Sequence, residues 1–381
     1  MNNNAVQIEN FNIKQNWVEK AHVLGVEFAK SANDFDQSNS FVQQNYNELR
    51  EHKLFSASIP TSVGGGGATY EELCGIVREL GKYCGSTALA YAMHSHPVAV
   101  NTFKYLRGDE KAKNTLTKIS ANEFIIAGTG ANDWLDSNGT SEKIEGGYRV
   151  NAHKRFVSGG PGANVFVTSI PFTGDNGNEV LHFSVPFNAE GISAKDNWRT
   201  LGMRGTGSND VEMKDVFVPD EAIIARRPAG EWHAMWDTIL PIAMPIIVSC
   251  YVGIAEAAVV CATQSAKGKA FLAPMLGELQ NDLVTAQLAL DDMVRRCDSY
   301  QFTPSMKNTD TILTRKSIAA RAVKMVVEKA ADVVGGPGFF QGHPMERIVR
   351  DIRAVHFHPL PEKRQQLFSG RIALDLNPLA D

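Results

Sequence analysis

No Cys-x-x-Cys pair occurs in this chain of 381 residues, and its five cysteines, Cys74, Cys84, Cys250, Cys261 and Cys297, are an odd and scattered set. That argues against a disulfide framework and predicts a reduced, cytoplasmic protein. Long apolar runs are lacking too. The longest, Ile239 to Ile247, is cut by Pro241 and Pro245 and falls far short of the roughly 20 residues that span a bilayer. The opening stretch, MNNNAVQIEN, has no apolar segment of the kind a secretory signal needs. Nor is there a surplus of positive charge. The formal net charge is −4 and no basic stripe is present, so nucleic acid is not an expected partner.

What is present divides into three stretches, and the length itself favours two or three domains. Residues 1–120 read as helical. Ile13, Trp17, Ala21, Leu24 and Phe28 recur at three- and four-residue steps, the signature of one helix face. After the Gly64–Gly67 break, Thr69 with Glu72 forms a capping box that opens another helix. A further helix starts near Ser86, and Pro97 is expected to kink or split it. Residues 121–225 change period. Short Val- and Phe-rich runs separated by Gly, Asn and Asp turns, with a hairpin at Gly146-Gly147, predict an antiparallel barrel or sandwich. Residues 226–381 return to long, glycine-poor helices, one of which ends at Gly335-Gly336 with Pro337 beyond. Short joins between them suggest an antiparallel bundle.

Four segments, in order, resemble the acyl-CoA dehydrogenase superfamily along nearly the whole chain. They are IPTSVGGGGATYEEL, GGYRVNAHKRFVSGGPGANVFV, LGMRGTGSNDVEMKDVFVP and VVGGPGFFQGHPMERIVRDIRA. The resemblance implies an α+β multidomain fold: an N-terminal helical domain, a central antiparallel β-barrel and a C-terminal four-helix bundle. It also implies FAD, with FMN or reduced FMN as the alternative, bound between barrel and bundle and completed by a second subunit. A homotetramer built as a dimer of dimers follows from that. By the same resemblance, Phe156 would pack on the isoalloxazine ring, and Ser158 would bond near its reactive nitrogen. Thr129 and Asn132 would also touch the flavin. Gly335, Gly336 and Phe271 would belong to the site of a neighbouring subunit, where only glycine lets backbone approach a pyrophosphate closely. Read without the family, Phe156 is a core residue and Ser158 starts a turn.

The departures from the family are informative. An Arg of its pyrophosphate site is Gly268 here, and Lys267 and Lys269 are the neighbouring cations. The two places from which the family supplies a catalytic Glu hold Pro359 and Ala243, the latter followed by Met244. Losing a general base typically costs about 10²- to 10⁴-fold, so ordinary α,β-desaturation should suffer. A histidine is the candidate replacement. His358 matches a place where the flavin monooxygenase branch often carries one, and an imidazole there could take a proton from a phenol or donate to a peroxide oxygen. Tyr91, His94, Ser95 and His96 fall in a stretch that lines the substrate cavity in the family. Neither H-x-H pair suggests a metal, because residues two apart on a helix point about 200° apart. Pro359 should hold His358 off a regular helix. Glu346-Arg347 and Arg350-Asp351 read as structural ion pairs.

The expected function is a flavin-dependent oxidoreductase acting on an acyl thioester or small organic substrate with hydride transfer to FAD. A two-component monooxygenase using reduced flavin and O₂ competes with it, and so does a non-catalytic flavoprotein. The expected partners are a small molecule, acyl-CoA among the candidates, and either a flavin reductase or an electron-transfer flavoprotein.

Overall fold

The computed structural model describes residues 16–130, 133, 137–174 and 177–379. Ile13 and Asn132 lie outside them. The apolar spacing of Trp17, Ala21, Leu24 and Phe28 buries one face of α1 (Trp17–Ser38), and the Asn16 side chain caps it by accepting from the Glu19 amide. After α2 (Gln43–Glu51), α3 (Tyr70–Tyr83) opens on the expected box, with Thr69 and Glu72 each accepting from the other's amide. Next, α4 (Gly85–Tyr105) is continuous through Pro97, so the proline does not split it. Most of this helix is buried, and its packing outweighs the one hydrogen bond that a proline removes. The short α5 (Glu110–Asn122) leads into the sheets.

The strands are β1 (Ile126–Gly128), β2 (Thr140–Ile144), β3 (Gly147–Val157), β4 (Val165–Gly174), β5 (Gly177–Pro186), β6 (Ile192–Ala194), β7 (Asn209–Pro219) and β8 (Ile223–Pro228). They form two four-stranded sheets, ordered β1-β4-β5-β8 and β2-β3-β7-β6. Of the expected antiparallel barrel or sandwich, no ladder among the described residues closes a barrel, and one pair, β1 with β4, is parallel and not antiparallel. Two of the edge strands, β1 and β6, have only three residues each, too few to carry pairing onward. The inner faces of the two sheets share one core, including Tyr148, Val150, Phe166, Leu181, Phe183, Val211 and Val218.

Three long helices follow, α6 (Trp236–Ala266), α7 (Ala273–Cys297) and α8 (Met306–Val334), and then two short ones, α9 (Pro344–Asp351) and α10 (Glu362–Ala373). The prolines do not interrupt α6, which is continuous over 31 residues. Pro245 has no N–H to offer the Pro241 carbonyl, and the Cys297 thiol takes that carbonyl at 3.5 Å. Tyr70 donates to the neighbouring Ile242 carbonyl at 2.7 Å. By length and composition α6 could cross a membrane, but 89% of its most apolar stretch is buried inside this protein. Helices α3 and α4 from the first part of the chain pack on α6, and one hydrophobic core joins the N-terminal and C-terminal helices.

Candidate active site

The end of β3 presents an aromatic ring outward. Phe156 has a left-handed φ of +60° and is 52% exposed, so it is not the core residue its strand position would suggest. The Trp198 ring meets it edge-on, with centroids 6.1 Å apart. Gly130 lies directly behind: a Cβ there would sit 2.9 Å from that of Phe156, and its amide donates to the Arg155 carbonyl at 3.0 Å. Thr129 precedes it, its amide donating to Val167 at the end of the β1–β4 ladder. Ser158 follows the ring and meets the Ser208 hydroxyl at 2.7 Å. The structure therefore brings Thr129, Phe156 and Ser158 to one corner of the sheets.

A second cluster forms where the tail of the chain crosses the helical core. The turn Ile352–Phe357 ends at His358, whose extended φ and ψ of −73° and 147° agree with the bend expected before Pro359. His358 Nε2 lies 2.5 Å from the Tyr251 hydroxyl, on the buried α6. Lys316, on α8, donates to the carbonyls of His358 at 3.0 Å and Leu360 at 2.9 Å. Burial pushes the His358 imidazole down to about 3, with Lys316 and His96 adding to the effect. The ring is thus neutral at physiological pH, not poised near it as the bare residue type suggests. Burial likewise brings Lys316 down to about 8 and holds the Tyr251 hydroxyl protonated well above its ordinary range. His96 belongs to this group, its imidazole lowered to about 4 by burial and by His94.

His94 points elsewhere. Its Nε2 lies 2.9 Å from the Phe55 carbonyl, and its Nδ1 accepts from the Ile126 amide at 3.0 Å. A carbonyl can only accept, so the proton sits on Nε2 and both nitrogens are committed to backbone. That assigns His94 to holding β1 against α4, and not to substrate. The expected ion pairs are re-partnered. Arg350 bonds Glu346 at 2.6 Å, four residues away on one helical face, and also Asp36. Asp351 accepts from the Met203 amide at 2.5 Å, and burial first of all lifts its carboxyl to about 6. Ala243 and Met244 are fully buried in α6. Among the described residues no group of three or more His, Cys, Asp or Glu is placed to hold a metal ion.

Tyr251 and Lys316 escape a reading of the sequence by motif, although signals for both exist. Tyr251 is a phenol within an apolar helix, and a buried hydroxyl needs a partner. Lys316 falls on the apolar stripe of Ile312, Leu313, Ala320 and Val323. At the far end of α8, Gly335 has φ +67°, and among the described residues a Cβ on Gly335 or Gly336 would meet nothing within 4 Å. Phe271, Phe339 and Phe340 are 78%, 89% and 72% exposed. These residues contact little of their own chain.

The chain matches the acyl-CoA dehydrogenase N-terminal, middle and C-terminal domain models over residues 21–123, 128–216 and 246–361. A mitochondrial isovaleryl-CoA dehydrogenase of Solanum tuberosum is 23% identical over 361 residues, covering 90% of this chain and 86% of that one. A dibenzothiophene monooxygenase of Mycolicibacterium goodii is 25% identical over 390 residues, covering 90% and 89%. In fold, the chain is similar to FMN-bound TdsC of Paenibacillus sp. A11-2, with a TM-score of 0.83 at 17% identity, covering 95% of this chain and 98% of that one. With all three domain models matched in order, the chain belongs to the acyl-CoA dehydrogenase family.

Proposed function

We propose that this protein is a flavin-dependent monooxygenase, fed reduced flavin by a separate reductase and acting on a small organic substrate. The observation that carries this reading is the group found one residue before Pro359, which holds a place where the resemblance puts the desaturating members' carboxylate. It is a neutral imidazole, His358, bonded to a protonated phenol, Tyr251. An imidazole whose conjugate acid lies near 3 is a poor acceptor for an α-proton, so hydride-transfer desaturation is the less supported reading. It is well suited to donate a hydrogen bond to oxygen. If Tyr251 donates to Nε2, the imidazole proton sits on Nδ1, the nitrogen free to face a ligand.

The residues present fit a flavin. Phe156 offers an exposed apolar face, Ser158 and Thr129 offer polar atoms at its edge, and Gly335 and Gly336 leave open backbone for a phosphate. Of FAD and FMN, the solved neighbour favours FMN, which it holds. Bound reduced flavin would supply the electrons that let dioxygen place one atom in the substrate and release the other as water. In this reading Phe156 and Ser158 hold the ring, and His358 steadies oxygen. Gly335, Gly336 and Phe271 serve the site of a second copy, which makes a homo-oligomer part of the proposal.

The test runs two assays side by side. Reduced FMN, isotopically labelled dioxygen and a panel of phenol, indole and aryl sulfide should give labelled product from at least one substrate. Anaerobic mixing with a panel of acyl-CoAs should leave bound FAD oxidised. Reduction of FAD by an acyl-CoA would overturn the proposal in favour of a dehydrogenase.

A further inference from the structure

One buried cation stands behind His358. Lys316 falls on the apolar stripe of α8 and is 2% exposed. Its Nζ donates to the His358 carbonyl at 3.0 Å and to the Leu360 carbonyl at 2.9 Å, one on each side of Pro359. Among the described residues no carboxylate pairs with it. Glu362, the acid whose charge bears on it, is engaged by Arg321 at 2.9 Å and by Gln366 at 3.0 Å. Two carbonyls need only two hydrogens, and a neutral donor could supply them at a smaller desolvation cost than an ammonium. The charge is therefore held against a penalty, seen in the fall of its titration to about 8.

The grip falls where the chain is least able to hold itself. Pro359 has no N–H to donate, so the extended stretch around it has one donor fewer with which to fasten its backbone. His358 is reached from two helices that pack on each other. Tyr251, on α6, takes the ring at Nε2, 2.5 Å away, and Lys316, on α8, takes the backbone. The hydroxyl alone fixes the outer atom of the ring and leaves the backbone free to swing about it. The ammonium fixes the other end. With both ends held, the Nδ1 edge of the ring keeps one direction. The Lys316 charge also adds to the burial that keeps the imidazole neutral.

We propose that Lys316 is the positioning residue for His358. By holding the carbonyls on both sides of Pro359 it sets where the imidazole stands, and through the imidazole it sets the rate of oxygenation. Its bonds go to backbone, so it acts through His358 and not on the ligand. The role rests on the monooxygenase reading for what His358 does, and adds to it the residue that places the ring. A lysine that served stability alone would cost the same whether or not an imidazole stands at 358. One that acts through the ring has nothing left to lose once the ring is gone.

The experiment is a double-mutant cycle on turnover with reduced FMN and dioxygen, run on wild type, Lys316→Met, His358→Ala and the double variant. Lys316→Met should lower kcat about tenfold with KM nearly unchanged. In the His358→Ala background the same substitution should cost less than about twofold. Lys316→Arg keeps the cation and its donors, and should recover part of the loss. Diethyl pyrocarbonate, which acylates neutral imidazole, gives a readout without turnover. Mass spectrometry should find His358 modified about tenfold faster in Lys316→Met than in wild type. Melting curves show which variants fold, and Lys316→Gln, shorter and uncharged, carries the test if Lys316→Met does not. A kcat within about twofold of wild type, or an equal loss with and without His358, would overturn the role of Lys316 and leave the monooxygenase reading standing. If an acyl-CoA reduces bound FAD and no substrate is oxygenated, that reading falls instead. The acylation rates then decide the positioning, and equal rates in wild type and Lys316→Met overturn it.

Discussion

At the scale of single residues, the site depends on what burial does to ordinary groups. His358 could be singled out from its neighbours in sequence, and Pro359 foretold the extended backbone that carries it. Its protonation state could not be foretold. The fall to about 3 comes from burial and from Lys316, 42 residues earlier on another helix. His358→Ala is expected to lower turnover about 10²-fold or more, with little change in flavin affinity. Tyr251→Phe removes the bond that orients the ring, and should lower kcat about tenfold with KM nearly unchanged. His356→Ala should do much less, because residues two apart on a helical or irregular segment point different ways. Steady-state kinetics of the three variants check this ordering. Equal, small effects for His358→Ala and His356→Ala would remove His358 from the mechanism.

At the scale of elements, the helices were legible wherever a local rule decides them. The Thr69–Glu72 box, the stop at Gly335 and the hairpin at Gly146 all lie where their residues require. The split allowed for at Pro97 does not occur. Pro97, and Pro241 and Pro245 in α6, each forfeit one hydrogen bond, and tertiary packing, invisible in a local window, outweighs it. The sequence left barrel and sandwich open because closure depends on which edges meet, and edge pairing is a long-range property. His94 shows how two elements are joined. It is buried neutral, with its imidazole lowered to about 4 by burial, while an unfolded histidine titrates near about 6.5. The folded value is the lower one, so the stability this neutral ring provides is present above about pH 6.5 and is lost as pH falls toward 4. Denaturant unfolding of wild type and His94→Gln at about pH 7 and about pH 4 tests this. The stability gap between the two should narrow by up to about 3 kcal/mol on the acid side. A gap independent of pH would show that His94 titrates normally.

At the scale of the whole molecule, the outer end of the bundle is the surface proposed to meet another copy. Phe271, Phe339 and Phe340 are exposed, and among the described residues a Cβ on Gly335 or Gly336 would meet nothing within 4 Å. A homotetramer built as a dimer of dimers is expected by light scattering at micromolar concentration, and a monomeric mass would contradict it. Flavin should also stabilise the assembly, by about 2.7 kcal/mol at a hundredfold excess over Kd. A melting temperature that neither FAD nor FMN raises, oxidised or reduced, would count against the cofactor.

The core that joins the N-terminal helices to α6 has a consequence for how the protein is made. Helices α3 and α4 leave the ribosome long before α6, the helix they pack against, and the two sheets are synthesised in between. Until residue 266 has emerged, the faces of α3 and α4 that pack on α6 lack that partner, although α1 and each other cover part of them. The sheets enclose their own core and can fold first, out of sequence order. A polypeptide stopped after β8 should therefore hold folded sheets beside sticky, unassembled helices, and need a chaperone to stay in solution.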